Sequence, residues 1–272
     1  MKIGKMIRNG VYGAVIGICM LIPGVSGGTI AVLLGIYDDL LSAMAALFSE
    51  FKNSIVFLTS VGMGGLFGAA IMSRLIGFLL NQAPFFTTYF FMGIILGGIG
   101  MMKSGRQERE KVDVLMLIFG VVIVCSLRFL PVDVFDNVED TLWIRFVIML
   151  VMGVLLGAAL ILPGISFSMT LVFLGIYEEF MRAVAEFDLR YLLPIIFSTL
   201  FGIIVLSKAL SRFIRKCPGK CHSMIMGFVI ASLVELFPGF PPVQSALFSI
   251  ISLLLGFLIS LLAVYFIKRK RA

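Results

Sequence analysis

Residues 23–40 of this chain, PGVSGGTIAVLLGIYDDL, recur in altered form at residues 163–180 as PGISFSMTLVFLGIYEEF. At an offset of 140 residues (163 minus 23), eight of the eighteen positions are identical, and both aspartates become glutamates. Apolar composition alone produces scattered matches, but it does not place Pro-Gly-x-Ser and Gly-Ile-Tyr-acid-acid in one register. The chain is therefore predicted to be a duplication, which is typical of secondary transporters.

The duplication continues beyond these motifs at an offset of 134 residues (200 minus 66). The matching residues are Leu66-Phe67-Gly68 with Leu200-Phe201-Gly202, Ser73-Arg74 with Ser207-Lys208, Pro84 with Pro218, and Met92-Gly93 with Met226-Gly227. The six-residue difference between the two offsets places a shorter connection after the second motif.

The composition is that of a membrane protein. Of the 272 residues, 60% are hydrophobic and 14% are charged, and the mean hydropathy is +1.12. A soluble domain carries about a quarter charged residues, so a large soluble enzyme is excluded. The net charge of +7 comes from basic residues between apolar blocks, which indicates cytoplasmic loops rather than nucleic-acid binding. The apolar blocks are residues 11–37, 54–80, 84–102, 113–130, 142–177, 191–214, 223–237 and 243–267.

The basic flanks predict the orientation. The N-terminus, residues 103–111, residues 212–220 and the tail 268–271 are rich in Lys and Arg and should be cytoplasmic. Both termini are then inside the cell, and residues 131–140 and 237–242 are outside. Blocks 54–80 and 84–102 each cross the membrane once before the cytoplasmic loop at 103–111, so residue 54 begins on the cytoplasmic side. Because the N-terminus is also cytoplasmic, the first block must enter and leave on that face. By the same reasoning, the block at 142–177 enters and leaves on the outer face.

The two broken blocks are too long for single crossings. A helix of thirty residues would be about 45 Å long, whereas the hydrocarbon core is about 30 Å thick. Folded at Pro23-Gly24 and at Pro163-Gly164, each block becomes a re-entrant helical hairpin. The predicted fold is an all-α polytopic membrane protein with an inverted repeat, two re-entrant hairpins and about six full transmembrane helices. The first repeat spans residues 1–130 and the second, inverted repeat spans residues 131–272, each with one hairpin and three transmembrane helices.

The broken loops are candidates for a polar site. A non-helical backbone at membrane depth is tolerated only beside protein or a water-filled cavity. Glycines allow tight turns and close approach of a ligand, and each loop begins a helix whose free N–H groups attract an anion. Hydroxyl groups add hydrogen-bond donors, so we expect a phosphate or a carboxylate to bind here. The predicted ligands are Gly24, Ser26, Gly27, Gly28, Thr29, Gly164, Ser166, Ser168 and Thr170. The alternative interpretation is that the serines cap helices and the glycines allow packing, and the two roles are compatible.

Two basic residues that are mates in the repeat, Arg74 and Lys208, lie within apolar helices and are added to the predicted phosphate ligands. A cation within the membrane needs a partner or water. Both residues lie near a helix end, so snorkelling to the membrane surface is the alternative. Asp38, Asp39, Glu178 and Glu179 fall about ten residues past the loops and are expected at the membrane surface.

Other small or reactive residues have simpler interpretations. The pairs Gly13/Gly17, Gly64/Gly68 and Gly153/Gly157 predict close helix packing. Cys217, Cys221 and His222 do not have the spacing of a zinc site and are expected to be reduced thiols and a loop histidine. We predict no catalytic residue, no metal and no cofactor.

The paired motifs, PGVSGGT with GIYDDL and PGISFS with GIYEEF, resemble those of the bacterial polyprenyl-phosphate transporters of the PopT type, long described as a family of unknown function. The resemblance covers essentially the whole chain. It implies that the partner is a lipid, undecaprenyl phosphate, which is returned from the outer to the inner leaflet of the cytoplasmic membrane for reuse in peptidoglycan and envelope synthesis. Phe167 departs from the small residue that the family pattern has, so the two loops need not bind phosphate equally.

Alternating access between the inverted halves is the mechanism we expect, with the isoprenoid tail remaining in lipid. Two other functions remain open. A small-anion secondary transporter would need a closed polar pore. An integral-membrane lipid pyrophosphate phosphatase would need a loop arginine and buried carboxylates, and neither loop contains Arg, Asp or Glu.

Overall fold

The computed structural model describes residues 3–104, 112–126 and 142–269, and every regular element in these ranges is a helix. The first half contains α1 (Ile3–Cys19), α2 (Gly27–Leu33), α3 (Tyr37–Ala45), α4 (Phe51–Gln82), α5 (Pro84–Ser104) and α6 (Val114–Ser126). The second half contains α7 (Leu142–Ile161), α8 (Phe167–Phe173), α9 (Tyr177–Glu186), α10 (Leu189–Lys216), α11 (Pro218–Leu236) and α12 (Val243–Arg269). The predicted loops at 105–111 and 131–140 and the end of the basic tail, 270–272, lie outside the described residues.

Each block that was predicted to be broken forms three helices. The helix breaks occur at the two Pro-Gly sites, as expected, and Gly24 and Gly164 both have φ +84, a conformation that glycine alone adopts at low cost. A second break, which the sequence reasoning did not predict, follows at Gly35 and Gly175, with φ +67 and +72. The two motifs therefore have the same backbone conformation as well as similar sequences.

Four closely packed helix pairs form the body of the protein: α1 with α4, α7 with α10, α5 with α12, and α6 with α11. Glycine makes each approach possible, because a Cβ atom would collide with the partner backbone at Gly17, Gly157, Gly256 and Gly120. The predicted packing role of Gly13/Gly17, Gly64/Gly68 and Gly153/Gly157 is confirmed.

The pairing pattern extends the duplication. The pair α1/α4 corresponds to α7/α10, and α5/α12 corresponds to α11/α6. Gly93 lies against the Leu253 carbonyl just as Gly227 lies against that of Leu117. This match relates α6 to α12 at an offset of 136 residues (253 minus 117), beyond the last of the sequence matches given above.

The register of the glycine contacts gives helix directions. Gly13 lies against Val61 and Gly17 against Gly65, so α1 and α4 run parallel and begin at the same end of the molecule. The chain between them, α2 and α3, must therefore return to that end. In the second half Gly153 lies against Ile195 and Gly157 against Thr199, so α7 and α10 are also parallel, with α8 and α9 as the return.

Contacts at one end fix the direction of α11. The Tyr89 hydroxyl, near the start of α5, donates a hydrogen bond to the Gly239 carbonyl at 3.2 Å, and its ring centroid lies 6.4 Å from that of Phe237. The end of α11 is thus beside the start of α5, and the two helices, which are in contact, run antiparallel.

The helices suit a membrane. Within the described ranges, α4, α10, α11 and the 243–263 part of α12 are long and apolar enough to span a bilayer, and shorter apolar stretches occupy α5, α6 and α7. Large apolar side chains such as Leu115, Phe201 and Phe248 are exposed on the outside of the bundle, where lipid tails would cover them. In contrast, α11 is buried along most of its length and forms the centre of the protein.

Candidate functional site

The site is built where the two Pro-Gly loops meet. The Gly164 N–H donates a hydrogen bond to the Thr29 Oγ1 at 2.8 Å, which joins the second loop to α2 of the first half. Gly28 packs against the second loop so closely that a Cβ atom would lie 3.2 Å from the Pro163 Cα. The predicted meeting of the loops is therefore present, and it depends on two residues of the first motif.

A second hydrogen bond joins the halves nearby. Tyr37, at the start of α3, is buried, and its hydroxyl donates to the Ile161 carbonyl at 3.0 Å. Ile161 is the last residue of α7, so this bond satisfies one of the carbonyls that a helix leaves free at its C-terminus.

A cavity of about 370 Å³ lies beside the joined loops. Its polar lining comes from both motifs, with Ser26, Gly27 and Gly28 on one side and Ser166 and Ser168 on the other. The remaining lining is almost entirely apolar. It comprises Ile16, Met20, Val25, Ala31, Tyr37, Leu40, Leu41, Met44, Val61, Ala159, Leu160, Ile161, Ile165, Phe167 and Ile203.

Ser26 is the most informative hydroxyl of the lining. It is only 4% exposed, it does not cap α2 with its side chain, and its Oγ has no hydrogen-bond partner among the described residues. Because Ser26 lines the cavity and its Oγ is not fully enclosed by protein, the hydroxyl is free to bind a ligand or water there. On the opposite side, the Ser166 and Ser168 hydroxyls lie 3.2 Å apart and are hydrogen-bonded to each other.

Several predicted ligands make contacts within the protein. Thr29 and Thr170 use their hydroxyls within the protein, Thr29 as the acceptor from Gly164 and Thr170 as a donor to the Ser166 carbonyl at 2.8 Å. Gly24 and Gly164 lie in the loops but pack against α11, beside Leu236 and Phe228 respectively, and neither lines the cavity.

Arg74 and Lys208 are on the outside of the bundle. Both side chains are exposed, on α4 and α10, and neither lines the cavity, an arrangement that favours the snorkelling alternative. No Lys, Arg or His among the described residues lines the cavity. Any anion there would be held by hydroxyl and N–H groups.

The acidic pairs lie where a helix dipole favours them. Asp38 and Asp39 occupy the first turn of α3, and Glu178 and Glu179 occupy the first turn of α9; all four are exposed.

Elsewhere, Cys217 and Cys221 are free thiols, and no group of His, Cys, Asp and Glu in the described ranges is arranged to hold a metal.

Sequence reasoning missed two functional candidates. Tyr37 belongs to the repeated Gly-Ile-Tyr, and nothing in that pattern distinguishes its hydroxyl as a partner for a distant carbonyl. The apolar lining from α3, Leu40, Leu41 and Met44, had no distinguishing signal within a uniformly apolar chain.

The fold defines a multi-pass helical membrane protein with a cavity beside the two Pro-Gly loops. Residues 16–249 match the family described as VCA0040-like, undecaprenyl phosphate translocase-like, and the chain belongs to this family. It is similar to the polyprenyl-phosphate transporter of Staphylococcus aureus, at 31% identity over 93% of this chain and 94% of that protein. It is also similar to the polyprenyl-phosphate transporter of Vibrio cholerae, at 29% identity over 83% of this chain and 76% of that protein. The resemblance inferred from the paired motifs is thus confirmed, and no solved structure matches the chain.

Proposed function

We propose that the protein returns undecaprenyl phosphate from the outer to the inner leaflet of the bacterial cytoplasmic membrane, where the carrier is reused in peptidoglycan and other envelope synthesis. It acts as a flippase by alternating access and not as an enzyme. The family membership and the names of the two relatives support a polyprenyl phosphate as the cargo.

The observation that carries the proposal is the composition of the cavity wall, in which a few serine and glycine residues of the two motifs accompany a mostly apolar lining. Ser26, Ser166 and Ser168 suit a phosphate head group, and the side chains of α3 and α1 suit the first isoprene units. A polar head beside an apolar chain is the structure of the proposed cargo. A small-anion transporter is less well supported, since most of such a lining would contribute nothing to binding.

We place the phosphate on the Ser26, Ser166 and Ser168 hydroxyls, with the backbone at Gly27 and Gly28 closing around it. A phosphate monoester carries between one and two negative charges at neutral pH, and hydrogen bonds to a charged acceptor are about twice as strong as neutral ones. Arg74 and Lys208 lie outside this arrangement, so the proposed site does not depend on them.

The transport cycle that we propose uses an inverted repeat. The parallel pairs α1/α4 and α7/α10 support a re-entrant hairpin in each half. The antiparallel course of α5 and α11 supports an inverted relation, because the α4–α5 turn and the α10–α11 turn then lie at opposite ends of the bundle. The basic flanks support cytoplasmic termini and the inner membrane.

Loop composition supports a transporter over a lipid phosphatase. Phosphate ester hydrolysis needs a positioned base or nucleophile with a charged partner. Residues 20–29 and 160–170 contain no charged side chain and no histidine.

The direct test is recycling in cells that lack other transporters of the carrier, with surface-exposed undecaprenyl phosphate measured by a probe that does not enter the cell. Expression of this protein should lower the exposed lipid, and a Gly27→Leu variant should not. Unchanged surface lipid with the wild-type protein inserted in the membrane would contradict the proposal. Metal-dependent release of phosphate from a polyprenyl pyrophosphate, abolished by Ser26→Ala, would replace it with the phosphatase.

A further inference from the structure

The two hairpins are duplicates in sequence and backbone, yet they pack differently. The first hairpin is inserted: α2 contacts α5 and α7, and α3 packs along α10 of the other half. The second is peripheral: α8 and α9 contact α7 and α10 of their own half, and the described residues of α9 make no comparable contact with α4. A separate small core, with Leu156, Leu171 and Ile195 at its centre, holds the second hairpin to α7 and α10.

The difference is clearest on matching faces of α3 and α9. Tyr37 is 6% exposed and Leu41 2%, whereas their mates 140 positions on, Tyr177 and Met181, are 40% and 47% exposed. Val184, the mate of Met44, is likewise exposed. The apolar face of α3 therefore lies inside the protein, where it lines the cavity, whereas the matching face of α9 is uncovered.

The hydrogen bonds differ in the same way. The Tyr37 hydroxyl donates to the Ile161 carbonyl, whereas the Tyr177 hydroxyl has no partner in the described part of the chain. The mate of Ile161 is Leu21, in the first loop, and its carbonyl accepts no hydrogen bond from the described residues. Thus the Tyr37–Ile161 hydrogen bond is formed, whereas the equivalent donor and acceptor, the Tyr177 hydroxyl and the Leu21 carbonyl, are not bonded to each other.

We propose that the Gly-Ile-Tyr segments are two exchanging latches. The first latch (the Tyr37 hydroxyl on the Ile161 carbonyl) holds the state described here. The second latch (the Tyr177 hydroxyl on the Leu21 carbonyl) holds the opposite state, in which the face of α9 packs along α4 and α3 leaves α10. The inference rests on the proposed alternating-access function and identifies Tyr37 and Tyr177 as its positioning residues.

The duplication identifies α4 as the helix that covers the apolar face of α9 in the opposite state. Since α4 corresponds to α10 in sequence and in its tight pairing, α4 offers α9 the surface that α10 offers α3. Exchange of equivalent contacts keeps the two states close in free energy, which a reversible transporter requires.

The test measures distances with paired spin labels, in a background with Cys125 and Cys217 replaced by Ser. One pair, at Ser42 and Arg215, reports on α3 and α10; its counterpart, at Arg182 and Asn81, reports on α9 and α4. All four positions are exposed. Tyr37→Phe should shift the population toward a short Arg182–Asn81 distance and a long Ser42–Arg215 distance, and Tyr177→Phe should shift it in the opposite direction. Loss of one neutral hydrogen bond should change the ratio of the two states about fivefold.

The double variant separates a latch from a merely structural tyrosine. Weakening both latches should return the ratio to within about twofold of the wild-type value, whereas two structural defects would add. Tyr89→Phe is the matched control, because it also removes a long-range bond from a buried tyrosine to a carbonyl but lies outside the loops. It should leave both distances unchanged.

Three results would overturn the proposal: shifts of the same sign in the two single variants, no response to Tyr177→Phe, or an Arg182–Asn81 distance that stays long in Tyr37→Phe. A short distance between two copies labelled only at Arg182 would also overturn it, since α9 would then cover a dimer interface.

The distances are measured without cargo. Opposite shifts in a protein that does not move polyprenyl phosphate would therefore keep the latches and reject the proposed function.

Discussion

At the scale of single residues, substitution of a cavity hydroxyl should affect ligand binding without affecting protein stability. The Ser26 hydroxyl has no hydrogen-bond partner among the described residues, so Ser26→Ala should leave the thermal stability of the purified protein nearly unchanged. If Ser26 binds phosphate, its loss should lower transport about 10- to 100-fold, the effect of one hydrogen bond to a charged group. Ser232→Ala, in α11 and away from the cavity, is the matched control for recycling assays. Equal activity of the two variants would remove Ser26 from the site.

Gly27 offers a sharper test, because its mate in the second half is a large residue. Phe167 occupies the equivalent position, packs edge-on against Phe180 at 6.0 Å between ring centroids, and does not disturb the loop. A Cβ at Gly27 would meet only the flexible Met20 side chain at 2.7 Å and Ile16 at 3.4 Å. Gly27→Leu should therefore fold, fill the part of the cavity that Gly27 lines and abolish recycling. Gly77→Leu adds the same bulk on α4 where no atom lies within 4 Å, and it should recycle normally.

The sequence predicted residue types better than residue contacts. Serines of both motifs and glycines of the first line the cavity, whereas Thr29 and Thr170, which were also predicted to bind the ligand, make hydrogen bonds within the protein. Arg74 and Lys208 point outward. Hydrogen-bond partners depend on how two distant segments meet, and no periodicity within either segment encodes that.

At the scale of elements, the contact between loops depends on Thr29. Thr29→Val keeps the shape of the side chain but leaves the buried Gly164 N–H without an acceptor. An unsatisfied buried donor costs about 1–3 kcal/mol, so the melting temperature in detergent should fall measurably. Thr170→Val is the control, since its hydroxyl bonds only to its own helix, and it should lose little. A smaller loss for Thr29→Val than for Thr170→Val would show that the loops do not depend on this bond.

Helix packing predicts that two glycine-to-alanine substitutions will have different effects on stability. Gly17→Ala places a Cβ against the Gly65 backbone and should destabilise the protein by separating α1 from α4. Gly62→Ala, on α4 with no atom within 4 Å, should be neutral or stabilise by up to about 1 kcal/mol through helix propensity. Thermal unfolding of the two variants measures both effects, and destabilisation of equal size would contradict the packing described here.

Helix positions were largely predictable. The Pro-Gly breaks and the small-residue pairs are local signals, and the structure places them as expected. The second breaks at Gly35 and Gly175 were missed because Gly-Ile-Tyr lies inside an apolar run that gives no sign of an interruption. The unequal packing of the hairpins could not be predicted either, because the two hairpin sequences are so similar that neither indicates which hairpin packs against the other half.

At the scale of the whole molecule, the topology is the main prediction. A thiol introduced at Asn137 should react with an impermeant reagent in intact cells, and one at Ser104 should not. Ser49, between α3 and α4, is the decisive position, since a re-entrant first hairpin keeps it cytoplasmic. Labelling of Ser49 from outside would contradict the inverted arrangement while leaving the helix contacts intact.

The exchange of helices between halves has a consequence for ancestry. Because α5 pairs with α12 and α6 pairs with α11, the most extensive packing of each half's last two helices is with the other half. A half-length ancestor could complete this bundle only by combining with another copy of itself. Under the proposed inverted relation, the two copies would have been inserted in opposite orientations. Under this origin, fusion of the two genes would have allowed the basic residues of each half to diverge and fix a single orientation, and it would have allowed the hairpins to become as unequal as Gly27 and Phe167 are.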